Sequence, residues 1–326
     1  MEVNNKTVPV TGQQDQNTIS LDLMNRMKLH GMAEAFRESL AGTTPQSMTA
    51  DTFLSMLLAR EWDYRSQAAI ARLTKNAAFR YKAYIEQIDY ATNRGLDRNQ
   101  MERLATLDFV HKAQNLFITG SSGTGKSYLA CALGHEACKR GFRTFYANAP
   151  KLLGALKVAK VKGTLEAELK KIERCQLLIL DDLFIVPLDA KERPILLEII
   201  EDRHERKSVI ITSQYPSSNW YDMVGDPTIA DAILDRIIHT AHTIELYGES
   251  MRKLKSKKNE NFKKGKIILP PNTRTLKGQS YSTKRWANLA WPKGSKLSGF
   301  SICQQKDKKR LITMLERMLQ KGKRIR

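Results

Sequence analysis

A lysine and a serine at 126 and 127 close the run Gly120-Ser121-Ser122-Gly123-Thr124-Gly125-Lys126-Ser127. It fits the phosphate-loop pattern G-x-x-x-x-G-K-S/T in full. Each part answers a need of a polyphosphate ligand. Glycines let backbone N–H groups converge on phosphate oxygens. A helix that starts at the loop offers its positive N-terminus. The Lys126 ammonium reaches the outer phosphates and the Ser127 hydroxyl suits Mg2+. The apolar run "NLFIT" precedes the loop and "KSYLACALGHEACKRG" follows it. That strand–loop–helix context separates the motif from a simple Gly/Ser turn.

Further along, "LLILDD" ends an apolar run in two acids, Asp181 and Asp182. Asp181 is placed to hold the Mg2+ shell, and Asp182 to orient or deprotonate a water. As a base, Asp182 is one methylene shorter than a glutamate, which predicts slow hydrolysis. The chain carries no guanine-reading N-K-x-D and no signature of a small-molecule kinase's lid or acceptor pocket, which argues against both classes. Instead "VIITSQ", "DAILDR" and "GESMR" follow. Thr212 and Gln214, at the tip of the expected strand, are candidates to sense the outer phosphate. Arg236 suits an arginine finger offered to a neighbouring subunit, and Arg252 a second sensor near the phosphates. For either arginine a surface salt bridge is the competing reading.

The elements that must carry these residues alternate. Strands are expected at "NLFIT", "RTFYANA", "LLILDD", "SVIITSQ" and "HTIEL", with helices at "KSYLACALGHEACKRG", "GTLEAELKKIERC", "KERPILLEIIEDRHERK" and "PTIADAILDRIIHT". Alternation of this kind predicts right-handed crossovers and a parallel α/β sheet over residues 111–253. Ahead of it, residues 20–110 read as a small all-helical domain. Leu21, Met24, Met27 and Met32 form an expected core stripe, and Thr49 or Asp51 caps the helix bearing Phe53, Leu57, Trp62 and Ile70. The basic residues Arg60, Arg65, Arg72, Lys75, Arg80 and Lys82 are either a solvated face or a DNA-contacting one. Residues 1–19 are polar and aperiodic and are expected to be disordered.

Of the net charge of +20, residues 253–326 supply 19, with 22 Lys and Arg against 3 Asp and Glu. The positive excess therefore belongs to a separate C-terminal tail, 254–326, mostly irregular, with one helical stripe of Leu311, Met314, Leu315, Met318 and Leu319. Such a tail binds phosphate backbones through counterion release. No run is long and apolar enough for a membrane helix, and no secretory signal is apparent. Cys131, Cys138, Cys175 and Cys303 lack C-x-x-C spacing, so reduced thiols in a cytoplasmic protein are expected, with Cys131 and Cys138 packed inside.

In combination, "GSSGTGKSYLACALGHEACKRG", "LLILDDLFIVPLD", "IIEDRHERKSVIITSQYP", "WYDMVGDPTIADAILDRIIH" and "IELYGESMR" resemble the IstB-like ATPases, the transposition helpers of bacterial insertion sequences. These are AAA+ relatives of the DnaC-type helicase loaders. The resemblance covers about residues 20–252. It implies an AAA+ core, ATP with Mg2+, a homo-oligomer formed with ATP on double-stranded DNA, and a transposase of the same element as partner. A DnaC-like helicase loader acting in replication is the alternative function. Carried over by motif, Gly120 to Ser127 bind the phosphates and Asp181 and Asp182 form the Mg2+ and hydrolysis pair. Arg236 becomes the finger acting in trans and Arg252 the second sensor.

The sequence departs from the family pattern at Phe184, where a glycine is usual, at His204 and Met251, where tyrosines are usual, and at Tyr128, where histidine is common. None of these is a phosphate ligand, but Phe184 alters the turn beside the acids. The tail has no family counterpart. It reads either as an unselected read-through extension, which its irregular middle favours, or as a polybasic DNA-binding appendage.

Overall fold

A computed structural model describes residues 12–42, 48–239, 241–254 and 256. The basic tail, with its expected terminal helix and Cys303, lies outside the described residues.

Helix α1 (Gly12–Arg26) covers part of the segment expected to be disordered, so helix begins before residue 20. The helical reading of the next stretch is broken at Lys28, whose φ of 59° no helix accepts. Helix α2 (His30–Leu40) restarts there with no side-chain cap of its own at Leu29. Its first turn is capped from α3 (Ala50–Ala77) instead. Buried Glu61 accepts hydrogen bonds from the N–H groups of Gly31 at 2.8 Å and Met32 at 3.1 Å, and from Arg65 Nε at 2.7 Å. Thr49 is the residue that caps α3. The methionine stripe is only partly core, because Met27 is 66% exposed and Trp62 on α3 is 75% exposed. Met27 sits in the turn that follows α1, and Trp62 stands on an exposed face of α3. Of the six basic residues in this region, Arg60 pairs with Glu38 and Arg65 with Glu61, while Arg80 turns toward the sheet.

A short 3-10 turn at Ile85–Gln87, α4 (Arg98–Ala105) and α5 (Asp108–His111) lead into the α/β core. The strands are β1 (Asn115–Gly120), β2 (Thr144–Asn148), β3 (Leu177–Asp181), β4 (Ser208–Ser213) and β5 (Ala241–Leu246). They form one sheet of order β2-β3-β4-β1-β5, parallel at every pairing. Intervening helices are α6 (Lys126–Lys139), α7 (Ala149–Val161), α8 (Leu165–Glu173), α9 (Glu192–Arg203), α10 (Trp220–Val224) and α11 (Pro227–Ile238).

The central strands are continuous apolar runs because helices cover both faces. One face packs Phe117, Leu178, Ile211 and Trp220 against α7, α9 and α11. The other packs Leu116, Ile179 and Ile210 against α6. Cys131, Cys138 and Cys175 are buried free thiols. Arg203 is 2% exposed and ties the sheet's lower rim together, donating to the carbonyls of Ile172, Cys175, Gln176 and Ser208. Among the described residues, no helix is long and apolar enough to cross a membrane.

Candidate functional site

The strand order puts the two motifs side by side. Strand β4 lies between β1 and β3, so the loop leaving β1 and the acids ending β3 emerge at the same sheet edge. This is the carboxyl edge, where parallel α/β sheets hold ligands. A cavity of about 450 Å³ opens there, lined by Ser122, Gly125, Lys126, Ser127, Asp182, Gln214 and Arg252, among others.

The loop is held by backbone geometry and by one buried arginine. Gly125 has φ 104°, and a Cβ there would meet Arg94 Nη1 at 2.5 Å, so only glycine fits. Arg94, 4% exposed, donates from Nη1 to the Thr124 carbonyl at 2.7 Å and from Nη2 to the Asp89 carbonyl at 3.1 Å. The Thr124 hydroxyl donates to the Ser121 carbonyl at 2.9 Å, and the Met251 N–H donates to the Gly123 carbonyl at 2.9 Å. Helix α6 starts at Lys126 without a side-chain cap, and its first residues, Lys126, Ser127 and Tyr128, line the cavity. Lys126 folds back on the loop, its Nζ donating to the carbonyls of Gly120 at 2.7 Å and Ser121 at 3.0 Å. Burial pushes its pKa below that of an ordinary lysine; Asp182 and Asp181 oppose the fall and Arg252 adds to it.

Asp181 is fully buried. Thr212 Oγ1 donates to its Oδ1 at 2.6 Å and the Tyr146 hydroxyl to its Oδ2 at 2.6 Å. Burial, the hydrogen bond to Asp181 and its charge together raise the Tyr146 pKa, so the phenol stays a donor. Asp182 sits at φ 59°, outside strand geometry, with its N–H bound to Thr212 Oγ1 at 2.9 Å and its Oδ2 receiving Asn148 Nδ2 at 3.4 Å. Burial and the neighbouring Asp181 raise its pKa, against the pull of Lys126, Arg80 and Arg252. Phe184, at φ 60°, takes a left-handed turn that glycine would fill freely. Its ring is 1% exposed and lies 5.3 Å from that of Trp220, and that burial offsets the strain.

Gly120 to Ser127, Asp181, Asp182, Gln214 and Arg252 therefore converge. Thr212 does not reach the cavity; its hydroxyl positions the acid pair, which leaves Gln214 as the strand-tip residue facing it. Arg236 stands apart, donating to the Ala232 carbonyl at 2.6 Å and pairing with Glu201 at 3.1 Å. His204 Nδ1 donates to the Arg236 carbonyl at 3.2 Å, so one unusual residue supports that position. Sequence reading missed Arg80, Arg94, Tyr146 and Asn148. Only Asn148 left a signal, as the strand-end residue whose register partner is Asp181.

The donor set fits Mg2+, a hard cation that keeps waters and substrate phosphates among its ligands. Ser127 and Asp182 line the cavity, Asp181 precedes Asp182 in the chain, and no cluster of three or more His, Cys, Asp or Glu exists among the described residues. The cavity wall carries Arg80, Lys82, Arg94, Lys126 and Arg252 against Asp89 and Asp182, which suits a polyanion.

Fold and site define a phosphate-loop α/β protein of the AAA+ type. The family model for IstB-like ATP binding proteins matches residues 22–259, and the chain belongs to that family. It is 43% identical over 240 residues to an insertion sequence ATP-binding protein of Sinorhizobium fredii, covering 74% of this chain and 98% of the relative. It is 32% identical to the insertion sequence IS21 ATP-binding protein of Pseudomonas aeruginosa, over 72% of this chain and 89% of the relative. Among solved structures, one of DnaI is matched at 24% identity with TM-score 0.45, covering 54% of this chain and 93% of that one.

Proposed function

We propose that this chain binds ATP with Mg2+ and hydrolyses it as a DNA-dependent helper of an insertion sequence's transposase. The observation that carries the reading is the convergence of Lys126 with Asp181 and Asp182 at one sheet edge in a chain of this family. Relatives named for insertion sequences favour a transposition helper over a helicase loader.

In this reading the loop N–H groups and the start of α6 receive the phosphates. Lys126 exchanges its two carbonyl partners for phosphate oxygens, which costs little because the new bonds are charge-assisted. Ser127 and Asp181 would hold Mg2+, which would neutralise phosphate charge. Tyr146 and Thr212 fix the Asp181 carboxylate in one orientation. Asp182, beside Asn148, orients the attacking water and takes its proton. Gln214 and Arg252 contact the outer phosphate. Arg236, away from its own chain's cavity, completes the site of a neighbouring subunit on DNA. The basic tail adds salt-sensitive DNA affinity.

The test is ATP uptake and phosphate release by the full chain, with and without duplex DNA, alongside Lys126→Ala. ATP binding that Lys126→Ala abolishes and turnover that DNA raises are expected. Full ATP binding by Lys126→Ala would remove the basis of this assignment.

A further inference from the structure

Arg80 makes the one ion pair to Asp181 and Asp182 among the described residues. Its Nη1 lies 3.5 Å from Asp181 Oδ2 and 3.7 Å from Asp182 Oδ2. Its side chain is 44% exposed and lines the same cavity as Lys126 and Ser127. Thr212 donates to Asp181 Oδ1, while Oδ2 accepts from Tyr146 and lies near the Arg80 guanidinium.

The backbone on either side of Arg80 is fixed. Phe79 stacks on His135 of α6 with ring centroids 4.2 Å apart, in a space that exists because residue 134 is glycine. A Cβ at Gly134 would meet the Phe79 ring at 2.5 Å. Ala83 is fully buried. The guanidinium lies 5.3 Å from the Tyr81 ring centroid. Arg80 can therefore leave the acids by rotating its long, half-exposed side chain, with no movement of the chain. Other charges facing the acid pair are Lys126 from α6 and Arg252 from the segment after β5.

We propose that Arg80 is a counter-cation of the acid pair that competes with Mg2+ and must swing off the acids before Mg2+ can bind, so that Arg80 sets the Mg2+ concentration at which nucleotide is gripped. The inference rests on the reading of Asp181 as a Mg2+ ligand. A guanidinium and a divalent ion on one buried carboxylate oxygen repel each other strongly, so each disfavours the other there. Buried Asp181 accepts hydrogen bonds from Thr212 and Tyr146, and Arg80 adds a positive charge beside it that an arriving metal ion would replace.

The experiment titrates Mg2+ against binding of a fluorescent ATP analogue to the full chain as wild type, Arg80→Ala, Arg80→Lys and Asp181→Asn. The expected result is a Mg2+ midpoint about tenfold lower in Arg80→Ala, since the displaced contact is charge-assisted. Arg80→Lys falls between the two, because a lysine keeps the charge and loses the planar fork. In EDTA, Arg80→Ala binds the analogue no more tightly than wild type. An unchanged or raised midpoint in Arg80→Ala, with Mg2+ dependence abolished in Asp181→Asn, overturns the role of Arg80 and leaves the site assignment standing. Mg2+ dependence that survives in Asp181→Asn overturns the assignment of the acid pair itself.

Discussion

Arg94 and Thr124 are joined by a hydrogen bond of 2.7 Å from a guanidinium to a backbone carbonyl of the phosphate loop, 30 residues further along the chain. The shape of the loop thus depends on a residue outside its motif. Arg94 Nε is buried without a partner, so the side chain is kept in spite of a polar group left unmatched. Arg94→Ala is expected to cost about 2–3 kcal/mol of stability, because buried carbonyls lose a charged donor. It should also weaken ATP binding. Denaturant midpoints and analogue affinity check both; a stable variant with normal affinity would show that the loop holds itself.

Arg236 and Glu201 form a half-exposed pair at 3.1 Å. Such pairs contribute about 1 kcal/mol or less to folding, so Arg236→Ala should unfold almost as wild type does. If the guanidinium completes a neighbour's site, ATP binding persists while DNA-stimulated turnover falls by about 10³ or more. Near-normal turnover would return Arg236 to a surface role.

Glu61 couples α2 to α3. Burial alone would raise its pKa, but hydrogen bonds from Met32, Arg65 and Gly31 outweigh burial and hold it below the ordinary 4.5. A carboxylate depressed on folding adds stability that is complete above the unfolded value and disappears as pH falls through the folded one. Glu61→Gln is therefore expected to be about 1–2 kcal/mol less stable than wild type at pH 7. The gap should close in acid, below the ordinary carboxylate pKa. A gap that stays constant with pH would mean the capping charge is irrelevant.

Arg203 donates to four backbone carbonyls at the rim where β3 and β4 begin. Arg203→Met keeps most of the volume and strands those acceptors. A loss on the order of 3 kcal/mol is expected, read from urea unfolding. Equal stability would mean that water satisfies the rim.

The five strands were legible because buried parallel strands are unbroken apolar runs, and the phosphate-loop motif and the acid pair could be placed in the fold because each follows such a run. Helix α7 was missed although Asn148 caps it and Pro150 stands in its first turn, since strand and helix meet there without a loop. The break at Lys28 left no glycine or proline to mark it. Arg80 and Arg94 were illegible as site residues. Their roles arise from the chain folding back over α6, which no local pattern encodes. Thr212 was given a phosphate to sense; its neighbours in the sheet instead turn its hydroxyl toward Asp181.

The order β2-β3-β4-β1-β5 also has a bearing on how the chain is made. Strand β1 is synthesised first of the five, yet both strands that flank it come late, ending at Ser213 and Leu246. A nascent chain therefore carries the whole phosphate-loop motif long before that motif has walls. Pairing of sequence-distant strands is slow to form, so early release of the polypeptide at any point before Leu246 would yield a product bearing the signature but lacking the architecture that lets it grip a ligand.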